Sequence, residues 1–138
     1  RHYLKIAEAK EVKVGWSTAK QNRSITGGEL QIAGEKFSHG IGTHAHSEIT
    51  YDLSGKEFRR FYSMVGHNDG GQDTYLTFEV HVDREKVFDS GDMKKGQPAK
   101  VLDISVEGAD ELKLVVTNGR DGKPEGDHAD WGHAFLVK

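Results

Sequence analysis

Tyr75-Leu76-Thr77-Phe78-Glu79-Val80-His81-Val82 is the stretch that decides the fold. Leu76, Phe78, Val80 and Val82 share one face of an extended chain, while Tyr75, Thr77, Glu79 and His81 share the other. That is the period of a strand with one side in a core and one in water. Outward from it, residues 100–106 repeat the pattern with Leu102, Ile104 and Val106, and Glu111–Thr117 repeats it with Leu112, Leu114 and Val116. Shorter candidate strands lie at 29–32, 48–53, 58–65, 87–89 and 134–137. Between them, Ala33-Gly34-Glu35-Lys36, Ser54-Gly55-Lys56, Asp83-Arg84-Glu85-Lys86 and Gly108-Ala109-Asp110 read as hairpin connections. No long helical stripe competes, so the expectation is an all-β antiparallel sandwich or barrel.

The 138 residues suit one domain, with 35% hydrophobic and 30% charged residues, the balance of a soluble globular chain. A net charge of -3 argues against nucleic acid, whose phosphates need a basic face. No apolar run approaches the roughly 20 residues of a membrane span. Cysteine is absent, which removes disulfides, thiolate metal sites and thiol nucleophiles but leaves the compartment open. The chain starts at Arg1 with neither an initiator methionine nor a signal peptide, so it is expected to be a piece excised from a larger protein.

Three stretches break the alternation, at 15–28, 66–73 and 117–132. They are rich in Gly, Asn, Asp and His, and polar loops on a rigid sheet are the usual seat of a site. Two motifs concentrate chemistry: Gly40-Ile41-Gly42-Thr43-His44-Ala45-His46-Ser47-Glu48 and Gly126-Asp127-His128-Ala129-Asp130-Trp131-Gly132-His133-Ala134.

His44 and His46, two apart, would share a strand face, and with His128 they could form a cupin-like metal centre. Glu48 is out of register for a cupin, and Pro124-Glu125-Gly126-Asp127-His128 resembles the second cupin motif only loosely. Ser47 has no glycine elbow. With 22 acidic residues, no glycosidase-like carboxylate pair is privileged. Sugar chemistry fits better. Hydroxyls want Asp, Asn, His or Glu as mixed partners, and the C–H face of a sugar wants an aromatic ring. Asp127, His128, Asp130 and Trp131 supply that set, with His44, Asn68 and Asp69 able to join from neighbouring loops. Trp131 and Trp16 read equally well as core residues, and Asp127 and Asp130 as turn caps. The oxygen-rich Asn118-Gly119-Arg120-Asp121-Gly122, with Asp127, could hold a structural calcium ion.

Several ordered segments together resemble a known family. Gly15-Trp16, Gly40 to Ala45, Glu48-Ile49, Tyr51 to Gly55, Val65-Gly66 with the Asp69 loop, Val87 to Gly91, Gly108 to Leu112 and Asp127 to Trp131 are similar to the NPCBM domain, the family-51 carbohydrate-binding modules. The resemblance spans nearly the whole chain. It implies a jelly-roll β-sandwich of the galactose-binding-domain type, without catalytic activity of its own. It further implies recognition of galactose or galactose-terminated glycans, and covalent linkage to a secreted bacterial glycoside hydrolase, hence an extracellular or periplasmic location. Structural calcium occurs in related sandwiches. Carried over by residue, the resemblance implies ligand contacts first from His44, Asp127, His128 and Trp131, then from Asn68, Asp69, Trp16 and Glu48. The Asp69 loop and the Gly122-Lys123-Pro124-Glu125 insertion depart from the family pattern. A protein-interaction domain on the same scaffold is the remaining alternative.

Overall fold

In a computed structural model, residues 1–123 and 125–138 are described; Pro124, within the insertion and the loose cupin match, lies outside them. Fourteen strands are present among the described residues: β1 (His2–Tyr3), β2 (Glu11–Lys13), β3 (Lys20–Gln21), β4 (Leu30–Ile32), β5 (Glu35–Phe37), β6 (Gly40–His44) and β7 (Ser47–Asp52), followed by β8 (Arg60–His67), β9 (Tyr75–Val82), β10 (Glu85–Asp89), β11 (Met93–Lys94), β12 (Lys100–Ser105), β13 (Glu111–Thr117) and β14 (His128–Val137). No helix among them is long and apolar enough to cross a membrane.

Twelve of the strands form two antiparallel sheets, the jelly-roll sandwich that the alternation and the resemblance led one to expect. One sheet runs β12-β8-β14-β6-β3, with β1 added on β14. The other runs β10-β9-β13-β7-β2, with β11 added on β9. Leu76, Phe78 and Val80 of β9 and Leu112, Leu114 and Val116 of β13 are fully buried. They meet Ile41, Phe61, Val65 and Trp131 from the facing sheet. Phe78 sits edge-on to Trp131 at 5.1 Å, closing the core across the two layers.

The turn expectations split. Ile32 pairs with Glu35 around Ala33-Gly34, and Val82 with Glu85 around Asp83-Arg84, as two-residue hairpins. Both central residues of each turn have positive φ, the geometry that matches strand twist. Ser54–Lys56 and Gly108–Asp110 are not hairpins. They carry the chain from β7 to β8 and from β12 to β13, that is, between sheets. Turn chemistry is local and does not specify which strands will pair. Two strands also differ in extent: the segment expected at 58–65 runs from Arg60 to His67, and the one expected at 134–137 begins at His128.

The outer face of the first sheet carries an extra layer, the β4–β5 hairpin. Leu30 and Ile32 of its first strand are buried, as is Ile25, apart from the main core. Gly66 and Gly132 make its seat: a Cβ at Gly66 would lie 2.5 Å from Ile32 Cγ2, and one at Gly132 would lie 2.9 Å from the Phe37 ring. Asp130, on that same outer face, is sealed under the hairpin at 0% exposure.

Candidate functional site

A cleft of about 530 Å³ opens at one end of the sandwich, among Gly15, Trp16, His44, Gly70, Gln72, Glu125, Gly126 and His128. Sheet register builds its floor. His44 ends β6, His128 begins β14, and the two are direct cross-strand partners, so their imidazoles stand 5.5 Å apart. The segment before β3 brings Trp16 over them, 5.4 Å from His44 and 6.1 Å from His128, nearly parallel to the latter. Trp16 is 52% exposed, an indole kept in solvent beside two imidazoles. A larger cavity of about 720 Å³ lies at the opposite end around Phe58 and Ala109. None of the expected ligand-contact residues lines it, so the smaller cleft is the candidate.

The imidazoles are poised for hydrogen bonding. His44 Nδ1 lies 2.7 Å from the Ala45 carbonyl oxygen. A carbonyl only accepts, so Nδ1 carries the hydrogen and Nε2 of the neutral ring is an acceptor. His128 is held below the usual histidine range by burial, then by the nearby His44 and His67 rings. Its Nδ1 is buried without a partner among the described residues.

Asp127 lies behind this floor, fully buried, and its Oδ1 is hydrogen-bonded to the Thr74 hydroxyl. Thr74 Oγ1 also lies 3.2 Å from His67 Nε2, while His67 Nδ1–H donates to the Asn68 carbonyl at 3.0 Å. One hydroxyl hydrogen cannot serve both Thr74 contacts. A further proton, on Asp127 or on His67, completes the chain. Burial lowers His67 and pushes Asp127 up to about 6, against the Thr74 bond and with help from Asp121 and Glu125. Below about pH 6 that proton therefore sits on the Asp127 side.

A second buried carboxylate holds the same wall. Asp130 Oδ2 accepts from Gln31 N at 2.9 Å and from Asn68 Nδ2 at 2.7 Å. Asn68 Oδ1 in turn accepts from Gly70 N at 2.8 Å, which fixes the turn into the cleft. Burial pushes Asp130 up to about 8.

Of the eight residues expected to touch ligand, the structure brings Trp16, His44 and His128 together in the cleft, with Asp127 directly behind. The other four stand elsewhere. Trp131 is a core residue at 0% exposure, because it shares the inward phase of β14 with Ala129. Asn68 spends its amide on Glu29 O, Asp130 and Gly70. Asp69 accepts from Ala33 N and Gly34 N, holding the β4–β5 turn. Glu48 pairs with His46 at 2.9 Å and Lys113 at 3.5 Å on the second sheet. Gln72 and Glu125 line the cleft without having been singled out. Their signal was a polar side chain next to glycines in a site loop.

The cupin-like metal centre does not fit. β6 ends at His44 and β7 starts at Ser47, so His44 and His46 share no strand face. Asp121 already accepts from Tyr75 N and Lys123 N. No group of three or more His, Asp or Glu is arranged to hold a metal ion among the described residues.

A two-sheet sandwich that ends in a shallow cleft of one indole and two imidazoles has the architecture of a small-ligand binding module. The chain belongs to the NPCBM/NEW2 domain family, whose model matches residues 1–137. It is thus a non-catalytic carbohydrate-binding module. It is 33% identical over 112 residues to Alpha-1,3-galactosidase B of Akkermansia muciniphila, covering 80% of this chain. The chain spans only 14% of that enzyme's length. Among solved structures, a CBM51 module from a Clostridium perfringens GH95 protein, in complex with methyl-galactose, is similar with a TM-score of 0.88 and 37% identity, over 94% of each chain. CBM51-2 of C. perfringens ZmpB, in complex with GlcNAc, is similar with a TM-score of 0.85 and 30% identity, over 93% of this chain and 29% of that one.

Proposed function

We propose that the cleft binds the terminal sugar of a galactose-type glycan, and that the module tethers a secreted bacterial glycoside hydrolase to its substrate. The observation that carries this reading is the exposed Trp16 ring held over the His44 and His128 imidazoles. An indole face takes the C–H side of a sugar, and His44 Nε2 accepts from a hydroxyl. His128 offers a second ring nitrogen beside it. Support comes from a relative bound to methyl-galactose and from one that forms part of a galactosidase. The relative bound to GlcNAc makes the choice of hexose a matter for experiment. A site this open works at micromolar to millimolar affinity, about -4 to -8 kcal/mol, and gains from avidity.

The test is a glycan array on the chain, repeated with Trp16→Ala and His128→Ala after folding is checked by circular dichroism. Binding to galactose-terminated glycans, lost in both folded variants, is expected. A folded wild-type chain that binds no glycan would sink the proposal.

A further inference from the structure

We infer that the cleft selects uncharged sugars and rejects those bearing a carboxylate or sulfate, because a carboxylate and no cation lines it. This rests on the sugar-binding reading above. The side chains that line the cleft are Trp16, His44, Gln72, Glu125 and His128, with no Lys or Arg among the described residues. Recognition of an anionic sugar calls for a guanidinium or ammonium in contact.

The carboxylates are close. Glu125 is at the rim, and burial first, with Asp121 and Glu125 adding to it, disfavours the ionised form of Asp127. His128 does little to offset them, since burial and its histidine neighbours hold it below the usual histidine range. Of the cations nearby in sequence, none lines the cleft, including Lys123, which is exposed in the same loop as Glu125. Lys20 Nζ donates to Thr18 O at 2.8 Å, and Lys94 lies 3.8 Å from Asp73. Lys95 acts on His67, behind the floor.

Three sugars of one ring shape separate charge from shape: galactose, galacturonic acid and galactosamine. Each is titrated into the chain at pH 7, at low and at high salt, by NMR chemical-shift perturbation. Galacturonate is expected to bind about tenfold more weakly than galactose at low salt, with the gap shrinking as salt screens it. Galactosamine should match or exceed galactose, and Glu125→Gln should narrow the galacturonate ratio.

Galacturonate within about twofold of galactose at low salt would overturn the inference while leaving sugar binding intact. So would a gap that salt leaves untouched, which would report shape rather than charge. If none of the three binds folded protein, the sugar-binding reading fails and this inference fails with it.

Discussion

Asp130→Asn probes the buried carboxylate under the β4–β5 hairpin, and its effect depends on pH in a way that can be worked out. Asp130 reaches about 8 in the fold, because burial outweighs its bonds from Asn68 and Gln31, against about 3.9 in an unfolded chain. The folded state therefore holds one proton more than the unfolded state between those values. Stability from this group is full at acid pH and is lost as pH rises through 8. From pH 7 to pH 9 linkage puts the loss at about 1.4 kcal/mol. By pH 7 Asp127, at about 6, has nearly finished titrating and adds almost nothing. Asparagine keeps an oxygen for Gln31 N and Asn68 Nδ2, and it removes the titration. Its NH2 replaces Asp130 Oδ1, which has no partner among the described residues, so a constant cost of about 1–3 kcal/mol is added. Urea unfolding at pH 7, 8 and 9 should show the wild-type chain losing stability while Asp130→Asn stays level. A wild-type chain level over that range would refute the reasoning. So would a variant that keeps the slope.

The two tryptophans should separate in the same assay. Trp131→Ala should cost about 3–5 kcal/mol as a core truncation, and exposed Trp16→Ala less than about 0.5 kcal/mol; equal costs would contradict their placement. Thr74→Val strands buried partners on both sides, so about 2–4 kcal/mol is expected, against about 1 kcal/mol for Thr74→Ser, which keeps the hydroxyl. A serine as damaging as valine would show that the methyl, not the hydroxyl, matters. His128 should titrate below 6.5 when its ring protons are followed by NMR, and its midpoint should rise in His44→Gln, which removes one of the rings that depress it. Because its folded value is depressed, the stability it contributes is present above 6.5 and is lost as pH falls through the folded midpoint.

The strands legible in the sequence are those with one face in water. β9 and β13 alternate cleanly because their outward residues meet solvent or a thin polar layer. β6 is buried at all five positions, and the first half of β14 is buried at all but His128, since the β4–β5 hairpin covers their outer face. With both faces covered, the period of two vanishes from the residue types, and glycines chosen for close approach take the place of alternating polar side chains. That is why residues 128–132 read as loop. Strand phase still separates the roles within the motif once the strand is known: Asp127, Ala129 and Trp131 face inward, and Asp130 faces the hairpin. The three cleft residues come from chain segments far apart, and only the β6–β14 register and the path before β3 bring them together.

The buried carboxylates have a physical reason once binding and stability are weighed together. Both chains of contacts, Asp130–Asn68–Gly70 and Asp127–Thr74–His67, end on the segment that supplies Gly70 and Gln72 to the cleft. Ordering a residue costs about 1–2 kcal/mol of backbone entropy. Ordering residues 70–72 on ligand arrival would then consume about 3–6 kcal/mol, most of what a shallow sugar site gains in total. A wall already fixed in the free chain avoids that cost at the moment of binding. Carboxyl groups do the fixing because each can accept several N–H or O–H donors, while burial disfavours their charged form. The consequence is stability that declines as they ionise, so variants that loosen the wall should weaken sugar binding even where no sugar atom touches the altered side chain.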